Sequence, residues 1–364
     1  MKSFKIEHKN LANIVSFCGR GVSSKPLVPA YKMIVFSLSN GTLKARGINS
    51  AFGVYDSIND VVGDDVEFAV DGFEFNKLIG RLSGELELSF NAMDKRVLIK
   101  ADTGKYRLWA ESPTDYPRHD SSNVSQVLKM DAAEIKSAIK VTSTSIVKDE
   151  LRPQLSNMLI KNGSNGLQAA GVSYFSLSIL SPLNGECLAD DVEVQVFPEI
   201  FQAIGGFDGE VLVYQNSALS IFKAENGRVV AQRKSLGQFP AYEPIVPKTC
   251  EHNIEVNRDK LLGSIHRLIG VAGAEGKLIK ILISGNRMSL SASDIDSGSA
   301  GDESMEIAGE ASIDITISGT QMQKMLHAMA SENVSIGFNS HKSPVLIKDD
   351  ESGIVSVLMP FTTL

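Results

Sequence analysis

The 364-residue sequence predicts an α+β fold made of a repeated unit, on three observations. Six short stretches carry apolar residues at helical spacing. Between them the pattern switches to period two, and proline-bearing segments then group the units in pairs.

Leu11, Ile14, Val15 and Cys18 form the first stripe, and Phe75, Leu78, Ile79 and Leu82 the second. Ile135, Ala138, Ile139 and Thr142 form a third that ends on a polar residue. Ile200, Phe201 and Ile204 give a short fourth, Leu261, Leu262, Ile265, Leu268 and Ile269 the fifth, and Met322, Met325, Leu326 and Met329 the sixth. Residues three, four and seven apart share a helix face, so each stripe marks the side a helix buries. The stripes begin at positions 11, 75, 135, 200, 261 and 322, a near-constant interval.

Strand patterns fill the intervals: Met33–Leu38, Glu85–Phe90, Arg96–Lys100, Val192–Val196, Glu210–Tyr214 and Ile279–Ile283. Turns are expected at Ser39-Asn40-Gly41, Lys161-Asn162-Gly163, Glu225-Asn226-Gly227 and Ser284-Gly285-Asn286, where Asn and Gly tolerate a left-handed backbone. A lone helix among several strands per unit argues for antiparallel sheets without crossover helices. Asp115-Tyr116-Pro117, the run from Gln238 to Pro244, and Met359-Pro360-Phe361 recur about every 120 residues. They divide the chain into three expected domains of two similar halves each, 1–122, 123–248 and 249–364.

Composition narrows the function. With 43% hydrophobic and 22% charged residues the chain is ordinary globular material, with no apolar run long enough to span a membrane. Its first residues alternate polar and apolar and lack the greasy centre of a signal peptide, so a cytoplasmic location is expected. Three scattered cysteines, Cys18, Cys187 and Cys250, fit a reducing compartment. The net charge of −7 argues against a protein that grips nucleic acid by contact alone. A protein that encloses DNA needs only a locally basic lining.

The catalytic patterns are absent from the sequence. Six histidines show no metal-ligand spacing, and no phosphate-binding glycine loop or nucleophile elbow occurs. Cys18 falls on an apolar stripe and reads as a packed thiol. Asp294-Ile295-Asp296-Ser297-Gly298 resembles a calcium loop but lacks its flanking helices, and reads as a solvated acidic loop. No cofactor or metal is expected.

In this order and spacing, several segments resemble the bacterial sliding clamp, the beta subunit of the replicative DNA polymerase. They are Lys25-Pro26-Leu27-Val28-Pro29, Asp115-Tyr116-Pro117, Arg152 to Leu159, Phe239 to Pro247, and Val357-Leu358-Met359-Pro360. The resemblance covers the whole length and implies the DNA clamp fold in a head-to-tail dimeric ring. It departs at Gly171 to Ser176, where the family carries Thr-Asp-Gly-His-Arg-Leu, and at the end, which reads Met359-Pro360-Phe361-Thr362-Thr363-Leu364 without the family's arginine.

The resemblance implies a non-catalytic processivity factor whose partners are duplex DNA, a DNA polymerase, a clamp loader and a second copy of the chain. A ring would present Lys25, Lys77, Arg81, Lys136, Lys140, Lys148, Lys260, Arg267 and Lys324 to phosphates; solvated helix faces would carry the same residues. The partner-peptide pocket carried over comprises Leu155, Gly171, Ser173, Tyr174, Phe175, Ser176, Pro240, Pro244, Ile245, Val357, Leu358, Met359, Pro360 and Phe361. Leu155, Ile245 and Val357 fit plain core positions equally well. The dimer interface would set Tyr106 and Leu108, on a candidate edge strand, against Val271 and Ala272. Two alternatives stay open: a clamp-like protein serving repair, phage or mobile-element replication, and an α+β enzyme with a site in a domain crevice.

Overall fold

A computed structural model describes residues 1–361 apart from 164, 165, 236 and 275. Thr362, Thr363 and Leu364, part of the divergent ending, lie outside the described residues. Among the described residues there are six α-helices: α1 (His8–Cys18), α2 (Gly72–Ile79), α3 (Ala132–Thr142), α4 (Pro198–Ile204), α5 (Arg258–Val271) and α6 (Gly319–Ala328). None is long and apolar enough to cross a membrane.

Every helix coincides with one of the six stripes and follows a strand, so strand-then-helix is the repeated module. At α2, α3, α5 and α6 the switch of period is made by a polar cap, whereas Glu7 before α1 makes no such bond. Asp71 accepts hydrogen bonds from the backbone of Phe73 and Glu74, Asp131 from Ala133, Asn257 from Lys260 and Ser318 from Gln321. Each satisfies a backbone N–H that the first helical turn leaves unpaired. Arg81 and Leu82 fall beyond α2, which ends at Ile79 with Gly80 as its cap, so Arg81 sits in the turn that follows and not on the helix with Lys77.

Two of the expected turns are not turns. Asn162 and Gly163 end a strand, Met158–Gly163, that pairs with Gly166–Val172 through Gly163 and Gly166. Gly285 and Asn286 lie inside the strand Leu278–Asp294, where the register slips between Gly285 and Arg287. Gly285 has φ +63°, and opposite Asn286 the facing strand runs on through residues 307–310 between the paired Glu306 and Ala311, so the long hairpin is irregular there without ending. Asn40 and Gly41, with φ of 49° and 76°, form the turn the dipeptide predicts.

The chain folds into two compact units, Met1–Ala133 with Glu199–Lys234, and Glu134–Pro198 with Ser235–Leu364. In the first, an antiparallel sheet passes from Ser125–Asp131 through Glu210–Gln215, Leu219–Ala224 and Val229–Arg233 to Phe52–Ile58. It continues through Thr42–Ile48, Met33–Ser39 and Val66–Asp71 to Gly104–Glu111, then Arg96–Ala101, Glu85–Asn91 and Lys2–Glu7. Its core is aromatic: Phe36 lies 5.3 Å from both Phe68 and Phe75, and Phe90 lies 5.6 Å from Phe68. These offset and tilted rings add to the burial of their area.

In the second unit a ten-stranded sheet runs from Glu193–Val196 through Met158–Gly163, Gly166–Val172 and Ser176–Leu180 to Ile354–Leu358. It then passes Val345–Asp349, Asn333–Phe338, His252–Asn257 and Ser299–Ser318 to Leu278–Asp294. Each sheet is thus sewn together by strands far apart in sequence, Val230 opposite Val54 and Ser178 opposite Ser356. Residues 123–248 contribute to both units. The single-helix, antiparallel pattern throughout is the expected α+β class.

Candidate functional site

Within the second unit, the C-terminal segment is laid between two strands. The Met359 N–H donates to the Phe175 carbonyl at 2.9 Å and the Phe361 N–H to the Thr316 carbonyl at 2.7 Å. This brings two exposed rings together: Phe175 and Phe361 stack with centroids 6.3 Å apart and planes 20° apart. Tyr174 lies beside Phe175 at 6.5 Å. Exposed aromatics without a core to fill are the residue types that anchor protein contacts.

Beneath them the lining is fixed. Leu155, Leu159, Val172, Leu177, Phe239, Tyr242 and Val357 form one buried cluster. Leu155 and Val357 are therefore core residues, as are Gly171, Ser176 and Leu358, whereas Ile245, Pro244, Tyr174, Phe175 and Phe361 are exposed. Ser173, Pro240, Met359 and Pro360 are half-buried. Gly171 is required by space: a Cβ there would stand 2.5 Å from the Thr142 carbonyl at the end of α3. Behind the strand a buried hydroxyl chain links Ser145, Ser178 and Ser356, with Thr144 also bonded to Ser178. Gln321 at the start of α6 donates to the Thr144 carbonyl and to the Ser176 hydroxyl. No sequence pattern marks Gln321, which joins parts of the chain far apart.

The rim is polar. Asp149 accepts from the backbone N–H groups of Leu151 and Arg152 and from the Tyr174 hydroxyl, at 2.6 Å. The Tyr174 hydroxyl is the first cause holding the Asp149 carboxyl below its ordinary range. The Arg152 guanidinium lies 5.6 Å over the Tyr174 ring. On the far side the Tyr242 hydroxyl accepts from Gln168, and its proton is held tightly because burial disfavours the phenolate.

The candidate DNA-facing cations are exposed, in each unit by itself. In the first, Lys25 lies in a loop, Lys77 in the last turn of α2 and Arg81 just past it. In the second, Lys136 and Lys140 project from α3 opposite the buried Ile135 and Ala138, Lys260 from α5 and Lys324 from α6. Lys148 stands near Glu150 at 3.8 Å. Arg267 is already engaged, gripping Glu303 with two 2.6 Å hydrogen bonds, so a phosphate there would have to compete.

Tyr106 and Leu108 lie half-buried on Gly104–Glu111, which pairs with Arg96–Ala101 on one side and with Val66–Asp71 only at Ala110 and Glu111. Its edge from 104 to 109 has no strand beside it among the described residues. In the second unit Leu278–Asp294 ends its sheet and likewise has a free edge. Val271 is half-buried at the end of α5. Ala272 is buried, and its backbone N–H is bonded to the Leu268 carbonyl.

Tandem single-helix antiparallel units, with a C-terminal segment that presents an exposed aromatic pair, define a protein of the DNA-clamp fold class. Residues 243–362 match the family model of the DNA polymerase III beta subunit, C-terminal domain. The beta sliding clamp of Rickettsia bellii is 23% identical over 375 residues, covering 98% of each chain, and that of Escherichia coli K12 21% identical over 372 residues, covering 98% of this chain and 99% of its own. Among solved structures, the sliding clamp of Pseudomonas aeruginosa bound to griselimycin superposes with TM-score 0.92 over all of both chains at 16% identity. The DNA polymerase beta subunit of Streptococcus pyogenes gives 0.91 at 18% identity, covering 99% of this chain and 100% of its own. The chain is thus similar to bacterial beta sliding clamps over nearly its full length and shares their fold.

Proposed function

We propose that the chain is a DNA sliding clamp, a homodimeric ring that encircles duplex DNA without reading its sequence. In this reading the pocket around Phe175 and Phe361 tethers DNA polymerase and other replication or repair proteins, a clamp loader opens the ring, and the chain has no catalytic site of its own. It works in the cytoplasm. The observation that carries the reading is the likeness to beta sliding clamps over nearly the full length in sequence and fold.

The three thirds, 1–122, 123–248 and 249–364, are the domains of this ring. Two chains would meet head to tail, the free edge at Tyr106 and Leu108 of one against the region of Val271 and the free edge of Leu278–Asp294 of the next; such heterologous contacts close when the rotation fits. Lys25, Lys77, Arg81, Lys136, Lys140, Lys148, Lys260 and Lys324 supply phosphate contacts that position without specifying. Retention comes from topology, so the net charge of −7 is no obstacle.

Solution mass with small-angle scattering tests the assembly. A two-chain annulus with a central opening is expected, and a compact monomer at every concentration would reject it. One observation favours a dedicated role: the pocket has Tyr174-Phe175-Ser176 where the family carries His-Arg-Leu, and the ending lacks the family's arginine. Competition among polymerase, repair and phage-type clamp-binding peptides separates a general clamp from a specialised one.

A further inference from the structure

We infer that the first unit carries an anion site for a phosphate group on the sheet face crossed by residues 116–119, centred on Arg46. Strand register places its parts. Lys44 and Arg46 point to one face of Thr42–Ile48, opposite Ser57 and Tyr55 of the next strand, and Val35 lies across from Arg46 on the other side. Tyr116 packs on this face against Met33, Val35 and Ala69, and the Tyr55 hydroxyl meets His119 Nδ1 at 2.9 Å. The result is a cavity of about 300 Å³ lined by Lys44, Arg46, Tyr55, Arg118 and His119.

The Arg46 guanidinium is the observation that points to a ligand. Its Nε and Nη2 are shut off from solvent and have no hydrogen-bond partner among the described residues. Its Nη1 stands 3.9 Å from Glu67 Oε1, beyond hydrogen-bond length, and the same oxygen lies 3.7 Å from Arg118. One carboxylate thus serves two guanidinium groups at a distance, while Lys44 is exposed beside them. The acid that lines the cavity, Asp56, is neutralised by Arg228 at 3.0 Å. Burial and the Arg118 charge both work against the Arg46 cation, and burial keeps His119 neutral.

Buried donors left unmade are costly, and the Nε–Nη2 edge of the planar guanidinium matches an oxyanion once the side chain turns that edge toward the cavity. Three cations sharing one acid suit a dianion better than a single carboxylate. A second cavity of about 410 Å³ adjoins across Tyr55 and His119, lined by Tyr214, Ile221 and Val229. It gives room for an apolar body attached to the phosphate.

The test is calorimetric titration of the full-length protein with inorganic phosphate and with phenyl phosphate, at constant ionic strength in chloride. One site per chain is expected, weakened at least tenfold by Arg46→Gln and at least fivefold by Arg118→Gln, and unchanged by Lys2→Gln, an exposed lysine of the same unit. Arg118 is an exposed side chain, so its variant reads the site even where Arg46→Gln fails to fold. Phenyl phosphate binding tighter than phosphate assigns a phosphoester that uses the second cavity, and equal binding assigns the free ion. No saturable binding, or equal affinity in wild type and Arg118→Gln, overturns the proposal.

Discussion

The Phe361 ring lies against the Phe175 ring at 6.3 Å, and both remain exposed although two backbone hydrogen bonds hold the segment that carries Phe361. The pair is rigidly presented but not enclosed. Rigid aromatics lose little entropy on contact, which suits them to hold a short apolar peptide.

Phe361→Ala should therefore weaken a fluorescent clamp-binding peptide by roughly 30-fold, the loss of a hot spot of about 2 kcal/mol. Its melting temperature should stay within a degree or two of wild type. Unchanged peptide affinity would remove the pair from the partner site.

Gly171→Ala should behave the opposite way. Its Cβ would meet the Thr142 carbonyl at 2.5 Å and Ile146 at 2.9 Å. Backbone must shift, so a stability loss of about 1–3 kcal/mol is expected in chemical denaturation. A stable Gly171→Ala variant that lost only peptide binding would contradict this reading.

Asp349 sets a pH dependence. Burial alone would raise its pKa, but the Ser331 hydroxyl and the backbone N–H groups of Ala330, Ser331 and Ser352 donate to it and hold it at about 2. The folded value lies below the unfolded one, so its stabilisation is present above pH 4 and is lost as pH falls toward 2. Its full size is about 2 kcal/mol. Asp349→Asn should lower stability at pH 7 and flatten the acid limb of the stability curve. An unaltered limb would show that other carboxylates dominate it.

Arg228 ties together the first unit. It pairs with Asp56, donates to Asn13 at 2.8 Å and lies 4.4 Å over the Phe17 ring. Arg228→Ala leaves Asp56 largely buried without its cation, and about 3 kcal/mol of stability should be lost. Thermal unfolding of the full chain measures it, and a change below 1 kcal/mol would mean the carboxylate finds another partner.

Leu108→Asp tests the assembly. A charge on the free edge of Gly104–Glu111 should shift the protein toward single chains by light scattering and leave the circular dichroism spectrum intact. A persistent dimer would move the interface elsewhere.

Much of the fold was legible because each helix has a bare apolar stripe and an uninterrupted register with the next repeat. Helix starts were less so: α5 begins at Arg258, one turn before its stripe, because the capping Asn257 and first turn are polar. Gly285 and Asn286 carry the same letters as a turn, and only the facing strand shows that the hairpin continues through them. Of the candidate site, the composition of the pocket was readable but its depth was not. Leu155 and Phe175 are both apolar, and only the path of the C-terminal segment leaves one buried and the other exposed. Tyr174 reaches the Asp149–Arg152 turn, and Gln321 reaches Thr144, from elsewhere in the chain, where no local pattern exists.

The most direct measurement is retention on DNA. The protein is loaded on nicked circular duplex, and its dissociation is followed before and after the circle is cut once. Escape should be slow from the closed circle and fast from the linear ends, with salt affecting both alike. Equal loss from circle and line would show that the chain holds DNA by contact, and the enclosing ring would have to be abandoned.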